Sequence, residues 1–120
     1  MATTPAGAFP RPPLGARRRR FVLEMPVDEP DGFGGRLRRY VAGPVLWGAI
    51  RPLDEIERLR GGREDTDTTH RVTLRARPGL SRAMRLSAGT RRFAIRTVRD
   101  PDGRGRDVVC HVEELPAEAA

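Results

Sequence analysis

The stretch HRVTLRAR, residues 70–77, carries the clearest secondary-structure pattern in this 120-residue chain. Apolar and polar side chains alternate along it, which is the period of a β-strand with one buried and one solvated face. The apolar set is Val72, Leu74 and Ala76, and the polar set is Arg71, Thr73, Arg75 and Arg77. Pro78-Gly79 then favours a turn. We therefore predict a strand over residues 70–77.

The sequence after this strand predicts a β-meander of three further short strands. Their alternating apolar residues are Met84 and Leu86, then Phe93 and Ile95, and finally Val108, Cys110 and Val112. Turn sequences separate these strands, namely Ala88-Gly89 and the DPDG of residues 100–103. The last third of the chain is therefore expected to be antiparallel sheet.

The sequence before residue 70 predicts strands, a turn and one helix. Residues 20–25 form a first strand and DEPDGFGG, residues 28–35, a turn or loop. Gly43-Pro44 interrupts the apolar segment 36–50, so this point is an edge position, a bulge or a break between two strands.

The period changes at Pro52–Arg60, where Leu53, Ile56 and Leu59 would form one apolar stripe on a helix of about two turns. The initial proline suits a first helical position. Residues 63–69 are polar throughout and predict a loop.

These elements amount to five to seven short strands, one short helix and a long polar loop. The fold class is mainly β, and a small sheet of this kind closes into a barrel or packs as a sandwich, because either arrangement removes exposed strand edges. The residues expected in the core are Val22, Trp47, Ile50, Val72, Leu74, Phe93, Ile95, Val108 and Cys110.

Composition indicates one polar domain with a small core. Hydrophobic residues make up 38% and charged residues 32%, and the apolar runs fall far short of the roughly 18 residues of a membrane span. The single cysteine cannot form an internal disulfide, which favours a reducing compartment. We expect a flexible Ala/Pro-rich tail at residues 1–16, a folded domain at 17–115 and a C-terminal tail at 116–120.

The formal net charge of +7 is concentrated near the N-terminus. Residues 1–20 hold five arginines and no acid, whereas residues 21–120 hold 18 arginines and 16 acids. All 23 basic residues are arginine, a bias typical of GC-rich genomes that weakens the inference from charge to nucleic-acid binding. One open alternative is nevertheless a monomeric basic β-barrel that binds nucleic acid through the arm Arg17, Arg18, Arg19 and Arg20.

Patterns for catalysis and metal binding are scarce. Cys110 and His111 point to opposite faces of a strand, and His70 is distant in sequence, so the three make a poor zinc set. Neither of the two serines has a recognisable nucleophile setting. We therefore predict no metal site, no cofactor and no enzymatic activity.

Five segments in order resemble the siphophage head–tail joining family, the small head-closure or stopper proteins also found in prophages and gene transfer agents. The segments are RRRRFVLEMPV (17–27), DGFGG (31–35), VLWGAIRPL (45–53), THRVTLRARPGL (69–80) and RRFAIRTVRDPDGRGRDVVCHVEE (91–114). Each motif is weak evidence alone. Together, the five segments have the order and spacing of the family and cover nearly the whole folded part of the chain. Gly48 stands where the family often has alanine.

The resemblance implies a small closed β-barrel that works as a ring of six or twelve copies at the neck of a phage or gene transfer agent particle, assembled in the bacterial host cytoplasm. Its partners would be an adaptor or portal-side connector above, a tail terminator or tail tube protein below, and the double-stranded DNA passing through the channel, with no membrane. Some relatives act as stoppers that close this channel.

Two surfaces are candidates for these roles. By resemblance, the loop that points into the channel would comprise Gly61, Gly62, Arg63, Glu64, Asp65 and Asp67; an ordinary exposed loop is the alternative. The arginines Arg71, Arg75 and Arg77 either are solvated or pair with acids of the next subunit, because a guanidinium binds carboxylates bidentately.

Overall fold

The computed structural model describes residues 19–60, 67–100, 103 and 105–117. The predicted tail at residues 1–16 and most of the predicted C-terminal tail lie outside these residues. The elements are β1 (Arg19–Pro30), β2 (Arg36–Pro52), α1 (Glu55–Arg60), β3 (His70–Arg75), β4 (Arg85–Ala88), β5 (Arg91–Arg99) and β6 (Asp107–Leu115). No helix in the described part of the chain is long and apolar enough to cross a membrane.

The six strands form a closed antiparallel barrel in the order β1-β2-β3-β6-β5-β4. β4 pairs with β1 and thereby closes the sheet on itself. For the described residues, the predicted mainly β class, the closed barrel and the single short helix are confirmed. The barrel form of the fold removes the free strand edges that a small open sheet would expose.

The interior of the barrel is built from alternate residues of every strand. Phe21 and Phe93 are fully buried and pack edge to face, with ring centroids 6.5 Å apart. The other buried apolar residues of this cluster are Leu23, Val72, Leu74, Leu86, Ile95, Val108, Cys110 and Val112. The alternation predicted for residues 70–77 and for the meander therefore supplies most of the core.

The structure corrects the predicted core at two residues, Trp47 and Val22. Trp47 is 57% exposed and Val22 is half-buried. The β1–β2 register pairs Phe21 with the inward Leu46, so the neighbouring residues of both strands point outward. Trp47 and Ile50 could not both face inward, since they lie an odd number of residues apart on one strand. Ile50 is the inward one and packs partly buried against the cluster.

Gly48 is a position where the interior has no room for a side chain. A Cβ there would lie 2.5 Å from the carbonyl oxygen of Thr73 and 2.6 Å from a methyl carbon of Leu74. The glycine therefore lets β2 approach β3 closely. A side chain of any size at this position would therefore force the two strands apart.

β1 and β2 extend past the barrel as one long hairpin. Residues 25–30 of β1 and 36–41 of β2 pair only with each other. We call residues 25–41 the hairpin arm, whose paired length with its turn is about 20 Å. The strand predicted at residues 20–25 was thus too short, and the turn predicted at 28–35 is confined to residues 31–35.

The turn of the hairpin arm is organised by Asp31. Its Oδ1 accepts the N–H of Phe33 at 2.7 Å and the N–H of Gly35 at 3.0 Å. Gly32 and Gly34 both have φ of 84°, a left-handed conformation that glycine adopts without steric cost. The DGFGG sequence therefore specifies a tight turn.

The structure decides between the alternatives at Gly43-Pro44 and moves two predicted boundaries. Gly43-Pro44 marks a bulge within one strand rather than a break, because the β1–β2 register shifts opposite it. The helix begins at Glu55 rather than Pro52, and its stripe residues Ile56 and Leu59 are exposed. β3 ends at Arg75, two residues earlier than predicted.

Candidate functional site

The end of the barrel at which β2 ends and β3 begins carries the long connection between these strands; we call this end the mouth. Two backbone hydrogen bonds fix both bases of that connection. The N–H of Leu53 donates to the carbonyl of Thr69 over 2.9 Å, and the N–H of Thr69 donates to the carbonyl of Val112 over 2.8 Å. The connection therefore leaves and rejoins the barrel at neighbouring points on its rim.

Helix α1 is held in place at the start of this connection. Asp54 precedes it and accepts the N–H of Glu57 over 2.7 Å, which is the geometry of an N-cap. Arg51 donates two hydrogen bonds to the Glu57 carboxylate, at 2.7 and 2.8 Å. Those bonds lower the pKa of Glu57 to about 2, so this ion pair persists across the ordinary pH range.

Most of the predicted channel loop lies outside the described residues, namely Gly61, Gly62, Arg63, Glu64 and Asp65. Asp67 is described and exposed, and it directly precedes the buried Thr68. The mouth thus fixes where this loop is attached to the barrel. That the loop points into a channel stays a prediction.

A pocket of about 260 Å³ opens at the mouth. It is lined by Arg19, Ile50, Arg51, Pro52, His70 and Arg91. Two of its three arginines already bind carboxylates, since Arg51 pairs with Glu57 and Arg91 donates to Glu114 at 2.8 and 3.0 Å. Because these charges are balanced, we expect the pocket to attract an anion only weakly.

His70 lies in a hydrogen-bonded cluster on the rim. Its Nδ1 is 2.8 Å from the hydroxyl of Thr69, which also accepts the N–H of Glu114 at 2.8 Å. Its Nε2 is 3.5 Å from a guanidinium nitrogen of Arg91. Burial lowers the pKa of His70; the Glu114 charge acts against this, whereas those of Arg91 and Arg58 add to it. The neutral imidazole is therefore favoured in the folded chain.

Sequence reasoning did not assign Thr69, Arg91 and Glu114 to any site. The structure brings them together from positions 22 to 45 residues apart, because β3, β5 and β6 all reach the mouth. The only local signal was the Thr-His pair at the start of the central strand.

The three candidate interface arginines do not form one uniform surface. Arg71 is half-buried, and burial is the first cause that lowers its pKa, followed by the charge of Arg51. Arg75 and Arg77 are exposed, and Arg77 lies beyond the end of β3. Thr73, between the first two on the same face, is only 7% exposed. Arg75 and Arg77 are therefore the two that a neighbour could reach readily.

The basic N-terminal arm is only partly described. Arg17 and Arg18 lie outside the described residues, while Arg19 and Arg20 are exposed at the start of β1. Arg19 borders the mouth pocket, whereas Arg20 pairs in register with Trp47 on the outer face.

Cys110 has the surroundings of a core residue. It is fully buried, and burial raises the pKa of its thiol to about 12, so the nucleophilic thiolate is scarce at neutral pH. Within the described residues, no three His, Cys, Asp or Glu side chains come together as metal ligands would.

The described residues thus form a small closed barrel with a pinned connection at one end and a hairpin arm at the other. Comparison with protein families identifies the class of protein. The phage head completion protein family matches residues 12–115, and the chain belongs to this family. It is therefore a structural protein of the virion, as the motif resemblance implied.

Two solved structures share the fold. The solution structure of protein SF1141 from Shigella flexneri 2a is 21% identical, with a TM-score of 0.70, and the match covers 88% of this chain and 98% of that one. A chain in the virion of a native gene transfer agent particle is 24% identical, with a TM-score of 0.57 and coverage of 82% and 94%. No curated protein matches the chain in sequence.

Proposed function

We propose that this protein forms a ring at the neck of a tailed phage or gene transfer agent particle, between the portal-side adaptor and the tail. The observation that carries this proposal is the family match over residues 12–115, which spans the whole described barrel. The presence of a similar fold in a native gene transfer agent virion supports it. The ring would hold six or twelve copies and would dock a tail terminator or tail tube protein on its lower side.

The first test is loss of the protein from the producing strain. The proposal predicts heads that lack tails or lose their packaged DNA, and restoration of both by the wild-type chain. Normal numbers of DNA-filled, tailed particles without the protein would contradict the neck role.

The mouth connection is the part we assign to the DNA channel. Both of its bases are pinned to the rim, so every copy in a ring would present it at the same height. Repeated Glu64, Asp65 and Asp67 would then form an acidic constriction, and carboxylates repel the phosphate backbone. This ring of negative charge would retain or guide DNA without binding it.

The channel role is tested by deleting residues 63–67, which should leave particles that assemble but leak DNA. A matched variant keeps the loop length and replaces the three acids by their neutral amides, through the substitutions E64Q, D65N and D67N. If only the deletion variant leaks DNA, the size of the loop is responsible. If both variants leak, the negative charge of the loop is responsible. Retention of DNA in both variants would refute the channel role.

The exposed Arg19 and Arg20 favour one alternative, direct binding of nucleic acid by a monomer through the basic arm. It predicts binding to double-stranded DNA that weakens steeply with salt and is lost when Arg17–Arg20 are replaced by glutamine. The neck proposal predicts weak, nonspecific binding in the same assay.

A further inference from the structure

The hairpin arm has two long edges that no third strand of the described chain covers. β4 pairs with β1 only at residues 22–24, and β3 pairs with β2 only at residues 48–52. Residues 25–30 and 36–41 therefore pair with each other alone. An unpaired strand edge exposes backbone N–H and C=O groups that another strand can bind.

The turn of the arm fixes which backbone groups point outward. The N–H of Asp31 donates to the carbonyl of Gly35 over 3.1 Å, so these two residues face each other as a hydrogen-bonded pair. Such pairs alternate along an antiparallel ladder with pairs whose N–H and C=O groups point away from the partner strand. Counted from the turn, the outward residues are Arg36, Arg38 and Tyr40 of β2, opposite Pro30, Asp28 and Pro26 of β1.

The two edges differ in the groups that they offer to an added strand. On the β1 edge, Pro26 and Pro30 have no N–H, which leaves Asp28 as the single outward donor between them. Proline at these positions blocks strand addition without removing a hydrogen bond from the hairpin itself. On the β2 edge, residues 36, 38 and 40 each offer one N–H and one C=O. The β2 edge is therefore the open one.

The open edge is formed before any partner binds. The β1–β2 register runs without a shift from Glu24 to Pro30, and Asp31 closes the turn through its backbone and its side chain. A strand edge whose geometry is already fixed loses less entropy on binding than a flexible loop would. The arm can therefore serve as a template on which an extended segment forms main-chain hydrogen bonds.

A second copy of this chain fits the open edge poorly. Its β1 edge carries Pro26 and Pro30, which cannot donate. Its β2 edge would bring arginine against arginine, since Arg36, Arg38 and Arg39 lie on that strand, and like charges on neighbouring strands are destabilising. The strands of its barrel are already paired on both sides. The open edge therefore fits a strand from a different protein.

One face of the arm carries an excess of positive charge beside the open edge. Cross-strand partners lie on the same face of a sheet, so Arg36 and Arg38 share this face with Asp28. Arg38 binds Asp28 at 2.8 Å, and Glu29 lies on the opposite face. Two arginines thus share a face with one paired acid, although the arm as a whole is balanced. A carboxylate on an added strand would be favoured next to Arg36 or Arg38.

The opposite face is apolar next to the same edge. Leu37 is 64% exposed and Val41 is 37% exposed, while Arg39 between them pairs with Glu29 at 2.7 Å. Apolar side chains of an added strand would cover Leu37 and Val41 on this face. Because successive side chains of a strand point to opposite faces, the strand that matches both faces alternates acidic and apolar residues.

We propose that the β2 edge of the hairpin arm binds an extended segment of another particle protein as an added β-strand, in which acidic and apolar residues alternate. The backbone of Arg36, Arg38 and Tyr40 supplies the donors and acceptors for this strand. The inference rests on the proposed neck role only for the source of the segment, because the edge is a property of the chain itself.

Amide hydrogen exchange of the purified full-length chain, followed by NMR, tests the site. Without a partner, the N–H groups of residues 36, 38 and 40 should exchange rapidly, whereas those of residues 37, 39 and 41 should be protected by β1. The probe is a synthetic peptide of alternating glutamate and valine. At saturation it should slow exchange at residues 36, 38 and 40 by about tenfold or more, and change residues 37, 39 and 41 little.

Two control peptides separate backbone pairing from charge. The same peptide N-methylated at its glutamates keeps its charge but loses the N–H groups that would face the edge, and it should give no protection. A peptide of alternating lysine and valine keeps the backbone and should protect much less. Equal protection by the lysine peptide would overturn the acidic preference, and no protection by the glutamate peptide would refute strand addition.

A pair of variants at one position divides the edge in the same way. Arg38→Pro and Arg38→Gln both remove the guanidinium, but only proline removes the outward N–H. The glutamine variant should bind the glutamate peptide more weakly than the wild type, and the proline variant should not protect residues 36 and 40 at all. Equal binding by the two variants would contradict a main-chain contact at this edge.

Hydrogen exchange by mass spectrometry on purified particles then tests the contact in place. Segment 36–41 should be more protected in particles than in the purified chain. If the particles contain the chain but this segment exchanges as in the purified chain, strand addition is refuted and the neck role stands. Absence of the chain from particles would refute the neck role itself. Protection that rises with the concentration of the purified chain alone would assign the edge to a second copy and overturn the proposed partner.

Discussion

The barrel and the hairpin arm both contain parts of β1 and β2, but they differ in how far their large apolar side chains are buried. Phe93 in the barrel is fully buried, whereas Phe33 at the tip of the arm is 95% exposed. The ion pairs differ in the same sense, since Arg85–Glu24 on the barrel is largely buried and Arg39–Glu29 on the arm is largely exposed. The barrel therefore supplies stability, while the arm holds apolar surface available for a neighbour.

Truncation of one phenylalanine in each region should give the largest difference between the two regions. Phe93→Ala removes a ring from the centre of the core and should lower the free energy of unfolding by about 3–5 kcal/mol. Phe33→Ala should change it by less than about 0.5 kcal/mol, because the ring contacts little. Urea denaturation followed by circular dichroism measures both, and equal losses would contradict the division of roles.

A second comparison removes one carboxylate charge from each region. Glu24→Gln leaves the half-buried Arg85 without its charged acceptor at 2.7 Å, and should cost about 1.5–3 kcal/mol of unfolding free energy. Glu29→Gln on the arm should cost about 0–1 kcal/mol, since exposed ion pairs contribute little. If denaturation gave the larger loss for Glu29→Gln, the arm would be a stabilising element.

Gly48→Ala tests how closely β2 and β3 approach in the barrel. The added methyl meets a backbone carbonyl and a Leu74 side chain, so the strands must separate, at a cost of about 1–3 kcal/mol. Thermal unfolding measures the loss, and Ser87→Ala on β4 is a small-residue control at a half-buried position. An unchanged melting temperature for Gly48→Ala would show that the two strands can separate freely.

The smallest expected effect is a pH dependence at the mouth. The pKa of His70 is lowered in the folded chain, so the unfolded chain takes up this proton first as pH falls. The contribution of the neutral His70 side chain to the free energy of unfolding is thus fully present above about pH 6.5, the usual histidine pKa. It declines as the pH falls below that value. The decline is at most about 1.4 kcal/mol per pH unit for one proton.

His70→Gln should flatten the stability profile below about pH 6.5, the usual histidine pKa. Urea denaturation at several pH values compares it with the wild type. The carboxylates Glu57 and Glu114 have lowered pKa values, so their contribution is lost only at more acidic pH. Identical slopes for the two proteins would show that His70 does not titrate as its surroundings require.

Sequence patterns were most informative where one strand face is buried and the other is solvated. The alternation at Val72 and Leu74, and again at Phe93 and Ile95, correctly located the interior. Such patterns failed for Trp47, since either face of β2 offered apolar residues and only the pairing with β1 decides which face is inward.

The candidate site was harder to predict for a related reason. Thr69, Arg91 and Glu114 meet at the mouth only because the barrel closes, and no local pattern reports a contact between distant strands. The hairpin arm was hidden by its own composition, because the prolines and acids of residues 26–31 are typical of loops. Backbone pairing with residues 36–41 of β2 nevertheless places residues 26–30 in a strand.

A reconstruction of the particle neck by electron cryomicroscopy, calculated without imposed symmetry, would show whether this chain forms the proposed ring. We predict a closed ring of this chain between the portal-side adaptor and the tail. A neck that lacks this chain, or that contains it without a closed ring, would contradict the proposed role.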